Sequence, residues 1–358
     1  MRIRSSLVLL LLLFPMTANT QTIYPKKDLA FAQVAAGGGY ETVINVTNRG
    51  PDTYTGTLRL FHLAGQAWSP LVNGSQIADG SMDVTVDIGG TNTYRVTGSG
   101  GTEAGFAVFM AEDLSLRSFL EGNLTYYYTS AAAFDSVGVQ PSNEFYLTRI
   151  PFDDFSTLAM ALANLNASSV TAKLSVYSAE GAEVATLDQP LDPGEHMARY
   201  LFQLFPDLQI TGGRLEVQCD SPIIGTILTD IDNQLSSLPM LPGVKAYNIE
   251  ADIGGIGYSG EMCFWFNGPF VQGYFRLLEI GGVPDPSPDT LPVTGSLVGG
   301  VLQANTAGNP DDPEQLLTYV IINPFSFSQQ TQQGLLTAWL AVTRGLLGTS
   351  TATMTAIN

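Results

Sequence analysis

The chain is poor in the residues that make reactive sites. Its 358 residues include two cysteines, two histidines and three tryptophans. Cys219 and Cys263 are too few for a disulfide scaffold. Both sit in apolar runs, which reads as two buried free thiols, with one bridge between neighbouring domains as the alternative. The histidines, His62 and His196, lie far apart, and two His and two Cys in scattered positions cannot build the usual zinc sets. No Gly-x-Ser-x-Gly elbow occurs; the nearest match, Gly257-Tyr258-Ser259-Gly260-Glu261, lacks the last glycine. Basic residues are also scarce, 15 against 33 acidic. Such a balance repels phosphate backbones and anionic membranes, so nucleic acid is not an expected partner.

Long apolar runs are missing too. Residues 7–14 form the one unbroken stretch near the start, too short to span a bilayer as a mature helix. Arg2 and Arg4 precede it and small or polar residues follow, the layout of a secretory signal peptide over residues 1–20, cut near Gln21. Cleavage leaves 13 basic against 33 acidic residues, a balance of −20. The expected mature protein is secreted or held at the cell surface, without a transmembrane anchor.

Glycine (37) and proline (20) are plentiful. Period-two patterning recurs, as in Lys173-Leu174-Ser175-Val176 and Ala352-Thr353-Met354-Thr355, with Gly, Asn and Asp between runs. This predicts an all-β fold. Helix is expected only at 197–205 and in a short stretch at 334–342. A repeat is visible. Thr42, Ile44, Val46 and Asn48 line up with Leu158, Met160, Leu162 and Asn164; Leu58, Leu60 and Phe61 with Leu174, Val176 and Tyr177; Gly65 with Gly181, all in one frame without a gap. More loosely, 93–96 resembles 198–201 and 119–124 resembles 223–228. Two homologous antiparallel β-sandwich modules are expected, at 22–138 and 139–241.

Certain phrases carry a family resemblance: Phe31-Ala32-Gln33 before Gly37-Gly38-Gly39-Tyr40, then Asn48, then Gly56-Thr57-Leu58-Arg59-Leu60-Phe61, and Pro193-Gly194-Glu195-His196 before Leu204-Phe205-Pro206. They resemble tandem immunoglobulin-like β-sandwich modules of secreted and cell-surface bacterial proteins, over about residues 28–240. The resemblance implies a sandwich fold and no catalytic residue.

The remainder, 245–358, reads as an antiparallel meander, a small barrel or a half-open sandwich. Strands are predicted at 259–266, 271–279, 295–303, 316–322, 335–342 and 349–357, with acidic surface loops at 282–291 and 306–314. Leu291-Pro292-Val293-Thr294-Gly295 has the letters of a sortase signal. A hydrophobic stop and basic tail should follow, yet only Arg344 is basic after it, so the segment reads as a turn entering a strand.

Candidate sites are sparse. Asp153-Asp154, Asp230 with Asp232, and Asp311-Asp312 are paired acids in turn-rich segments, where acids are ordinary. No cofactor is implied. Calcium is the one cation with a local cluster, Asp230, Asp232 and Asn233, although no glycine follows in EF-hand spacing. Trp68, Tyr126, Tyr127 and Tyr128 could form an aromatic ligand platform. Asn45, Asn73, Asn123 and Asn166 begin N-glycosylation sequons, which matter only in a host with that machinery. The expected function is non-enzymatic: adhesion, spacing or assembly at the cell surface, with matrix or surface polysaccharide or protein as partner. The alternative is small-ligand or carbohydrate binding inside the C-terminal domain, where Phe264, Trp265, Phe266, Tyr274, Tyr319, Phe325 and Phe327 concentrate. An extracellular hydrolase ranks last.

Overall fold

A computed structural model describes residues 27–357, apart from 63–64, 113–118, 130–133, 232–233, 239, 241–242, 268–269, 285–289, 307–315, 326–328, 330 and 341–345. The expected signal peptide and most of the two acidic loops lie outside the described residues.

The alternating segments pair as antiparallel strands throughout. The first ten are β1 (Lys27–Ala36), β2 (Tyr40–Asn48), β3 (Tyr54–His62), β4 (Leu71–Val72), β5 (Ser75–Gln76), β6 (Ser81–Val86), β7 (Thr91–Thr97), β8 (Glu103–Ala111), β9 (Leu120–Thr129) and β10 (Phe134–Val139). They form two sheets, β1-β8-β3-β6 and β10-β9-β2-β7-β4-β5. Because successive side chains point to opposite faces, Leu58 and Leu60 enter the space between the sheets while Arg59 leaves it. Phe31, Ile44, Val46, Val86, Val96 and Phe109 fill the same core.

The next set is β11 (Glu144–Asp154), β12 (Leu158–Ala163), β13 (Val170–Ser178), β14 (Glu183–Leu191), β15 (His196–Tyr200), the one-turn helix α1 (Leu201–Leu204), β16 (Thr211–Ile231) and β17 (Gln234–Leu238). The long strand β16 serves two sheets. Residues 211–218 and, after a register shift, 223–224 pair with β11 and 213–219 with β13, whereas 224–229 pair with β12 and 227–231 with β17. The change falls around Pro222, which has no N–H to give a ladder. The resulting orders, β11-β16-β13-β14 and β17-β16-β12-β15, repeat β1-β8-β3-β6 and β10-β9-β2-β7 of the first sandwich. The helix expected at 197–205 is corrected: pairing with β12 claims 196–200 as strand, and only 201–204 turns helical.

Matched residues do the same work in both sandwiches. The Asn48 side chain donates to the carbonyls of Asp52 and Val86 and accepts from the Gly50 N–H. The Asn164 side chain donates to Ser168, Leu191 and Asp192 and accepts from the Asn166 N–H. Each asparagine is buried and ties a strand end to the next turn. Gly65 and Gly181 take positive φ, 70° and 86°, in turns closed by the same pair of backbone bonds.

The last strands are β18 (Val244–Ile253), β19 (Ile256–Asn267), β20 (Phe270–Ile280), β21 (Val283–Pro284), β22 (Thr290–Val298), β23 (Val301–Thr306), β24 (Leu316–Ile322), β25 (Thr331–Leu340) and β26 (Leu346–Ile357). Apart from β21, which pairs only with β20, each strand pairs with the next, and β26 returns to β18. The result is a closed eight-stranded up-and-down barrel. The strand expected at 295–303 is corrected to a hairpin, because Gly299 and Gly300 both adopt positive φ, 58° and 74°, and turn the chain. The short helix expected at 334–342 is corrected over its described part: residues 334–340 belong to β25, where cross-strand pairs with β24 and β26 hold them extended. The sortase-like pentapeptide lies within β22, paired with β20 along its length and with β23 from Val293 onward.

Eight strands leave room inside for side chains and little else. Tyr247, Phe264, Phe266, Val293, Leu302, Val320 and Met354 occupy that space. Tyr146 and Leu147 of β11 join the same core, with Tyr146 edge-on to Phe266 at 5.9 Å, so the second sandwich stoppers one end of the barrel. The two sandwiches are also packed together: Ala30, Ala32, Phe106, Val108 and Met110 meet Ala163 and Ile224. Ser142, between them, accepts from the Ala32 N–H and donates its own N–H to Ala30.

Candidate functional site

The structure places most of the sequence candidates in structural positions. Trp68 is 5% exposed and its indole N–H donates to Glu103, so it presents no free ring face. Tyr126 is 3% exposed and its hydroxyl donates to the Gln33 carbonyl. Tyr127 and Tyr128 are half-buried, against Phe134 and Tyr40 respectively. The four therefore make no common exposed platform. Asp232 and Asn233 lie outside the described residues, as does the Asp230 side chain. No group of three metal-ligating side chains occurs among the described residues.

Both cysteines are free, so the alternative of a bridge is corrected. Cys219 sits in the core of the second sandwich and Cys263 on β19 of the barrel. Burial pushes both thiols up, away from the thiolate. Asp154 accepts from the N–H and hydroxyl of Ser156, the turn-forming use of an acid, and those bonds lower its pKa. Asp311 and Asp312 lie outside the described residues. In the barrel, Trp265 stands between inward-facing Phe264 and Phe266 and therefore points out, where its N–H donates to Gln272. Tyr274 and Tyr319 are likewise absent from the packed interior, and Phe327 lies outside the described residues.

One concave site brings residues together that sequence reasoning did not group. A cavity of about 320 Å³ lies between the sandwiches. Its floor is the outer face of the β17-β16-β12-β15 sheet. In β12, Leu158, Met160 and Leu162 point into the sandwich, so Ala159 and Ala161 point away. Cross-strand pairing extends each into a row: Ala198–Ala161–Thr226 and Tyr200–Ala159–Leu228. The first sandwich supplies the facing wall from Gln33, Ala35, Tyr40, Thr102, Ala104 and Tyr126, and Met160, Arg199 and Gln203 complete the lining. The size and mostly apolar surface with a few polar groups are those of a small-molecule site.

The corresponding row of the first sandwich is different. By strand pairing, Ala198–Ala161–Thr226 matches Thr93–Asn45–Asn123. There Thr93 donates to Asn45 and Asn45 to Asn123, a polar ladder on an open face. Small residues at these positions in the second sandwich open the cavity. The signal was present in Leu158-Ala159-Met160-Ala161-Leu162-Ala163, where every outward position is alanine.

No protein-family model and no curated protein matches the chain.

Proposed function

We propose that this is an exported, non-enzymatic adhesion or assembly protein that engages its partner through the cleft between its two sandwiches. The observation that carries the reading is the alanine floor, where one sandwich lacks the asparagine ladder that its counterpart keeps. The coupled sandwiches and the stoppered barrel support it, since they give the cleft a preorganised frame. On the same reading the sandwiches are a duplicated immunoglobulin-type module, and the signal segment sends the chain out of the cell. The barrel interior is a poorer candidate for a ligand, because aromatic and aliphatic side chains occupy it.

The test is retention of the labelled mature chain on the cells that secrete it and on their extracted matrix. Ala161→Trp, which fills the floor from an outward-facing position, is expected to reduce retention at least about tenfold, on the order of 1.4 kcal/mol. Ala198→Phe blocks the same row from an edge strand and should do likewise. Unchanged retention by both folded variants, or robust turnover of a glycan or peptide panel by the wild type, would overturn the proposal.

A further inference from the structure

Taking the cleft as the binding site, as proposed above, we infer that it accepts a neutral, largely apolar group carrying one hydroxyl, of the alcohol or phenol class. Three observations lead there. The first is the surface of the cavity. Ala159, Ala161, Ala198 and Leu228 lie on the outer face of the β17-β16-β12-β15 sheet, and Ala35 and Ala104 line the opposite wall. None of these side chains offers a hydrogen bond. A sugar ring would bury several hydroxyls against them without partners, which is costly. An apolar body gains from the same contacts. At about 30 Å³ for each water-sized group, the volume of about 320 Å³ suits roughly ten non-hydrogen atoms.

The second is one unspent acceptor. Gln33 lines the wall, and its side-chain oxygen is buried without a hydrogen-bond partner among the described residues. A buried acceptor in that state is costly, and a hydroxyl donor relieves it. Two other polar side chains of the lining are committed within the protein. Tyr126 donates its hydroxyl to the Gln33 main-chain carbonyl, and Gln203 accepts at its side-chain oxygen from the Tyr200 N–H. One donor, placed near Gln33, answers what the lining lacks.

The third is the lack of charge. Arg199 is the one charged residue along the lining. It pairs with Met160 and shares the face of Met197, so alternation along β15 directs it away from Ala198 and Tyr200. No carboxylate lines the cavity. A charged ligand would give up water here with no opposite charge to meet it. A neutral one carries no such penalty.

The experiment is calorimetric titration of the full mature chain with two matched pairs. One is n-octanol and its isomer heptyl methyl ether, which has the same atoms and no donor. The other is para-propylphenol and para-propylanisole, which set an aromatic body against the aliphatic one. In at least one pair the hydroxyl compound is expected to bind about tenfold or more tighter than its ether. Gln33→Leu keeps the main-chain carbonyl that Tyr126 uses and removes the side-chain acceptor. It should bring that hydroxyl compound to within about twofold of its ether. Ala161→Trp and Ala198→Phe should abolish binding of every probe. Equal binding of alcohol and ether, lost in the filled-cleft variants, would overturn the need for a donor while the cleft stands. A preference that persists in Gln33→Leu would overturn Gln33 as the acceptor. Binding that survives both filled-cleft variants would overturn the cleft as the site. Failure of every probe to bind would overturn the ligand class, and the retention assay then decides the cleft independently.

Discussion

Replacing Asn164 with alanine is expected to destabilise the protein by about 3 kcal/mol. The side chain is completely buried and donates to three backbone carbonyls while accepting from the Asn166 N–H and side-chain amide. Alanine removes all of these together. The Leu191 carbonyl lies at the buried end of β14, where water does not readily take over the lost bond. Losing one ordinary hydrogen bond costs about 1 kcal/mol, and stranding buried partners adds about as much again or more. Asn48→Ala should cost somewhat less, because that side chain donates to two carbonyls rather than three. Chemical denaturation of the two variants checks both the size and the order. A loss below about 1 kcal/mol for Asn164→Ala would mean that these corners do not hold the turns together.

That pair of asparagines also shows what the sequence could reveal. Asn48 and Asn164 were matched as letters in one frame, and they have one structural job because a strand end followed by a turn leaves the same carbonyls needing donors. Alternation was equally legible: Leu58, Leu60, Leu174 and Val176 all enter sandwich cores, as period two requires. The barrel strands could be placed because Leu316–Ile322 and its neighbours are long and apolar. Their closure could not, since the pairing of β26 with β18 joins segments about a hundred residues apart in the chain and leaves no local signature. The diglycine at 299–300 was visible, yet the apolar residues on both sides masked the hairpin. The cleft was least legible. Its residues come from seven separated segments, and small outward residues read as ordinary until a second sandwich is seen to cover them. Trp68 and the tyrosine run drew attention as bulky aromatics, but their size is used for packing.

Acidification is expected to weaken the protein through His196. The imidazole is buried at the junction of the sandwiches, beside Phe106 at 6.2 Å between ring centroids. Neither ring nitrogen makes a well-formed hydrogen bond among the described residues. Burial, which penalises the charged form, pulls its pKa down to about 4 from 6.5; the Ala32 backbone opposes this weakly, and His62 adds a little to it. In the unfolded chain the ring takes up a proton near its ordinary pKa, so between these two values the unfolded state holds more protons than the native one. The stabilisation is therefore complete above about pH 6.5 and is lost progressively as pH falls through about 4. The interval corresponds to roughly 3 kcal/mol at 1.36 kcal/mol per pKa unit. Carboxylates titrate in the same range, so the comparison must be internal. His196→Leu keeps an apolar group of similar size at the junction and has nothing to protonate there. The wild type should lose about 3 kcal/mol more than this variant between pH 7.5 and pH 3.5, read as the difference in their urea midpoints multiplied by a common slope. Parallel losses in the two proteins would assign the acid sensitivity to the carboxylates and remove His196 from the account.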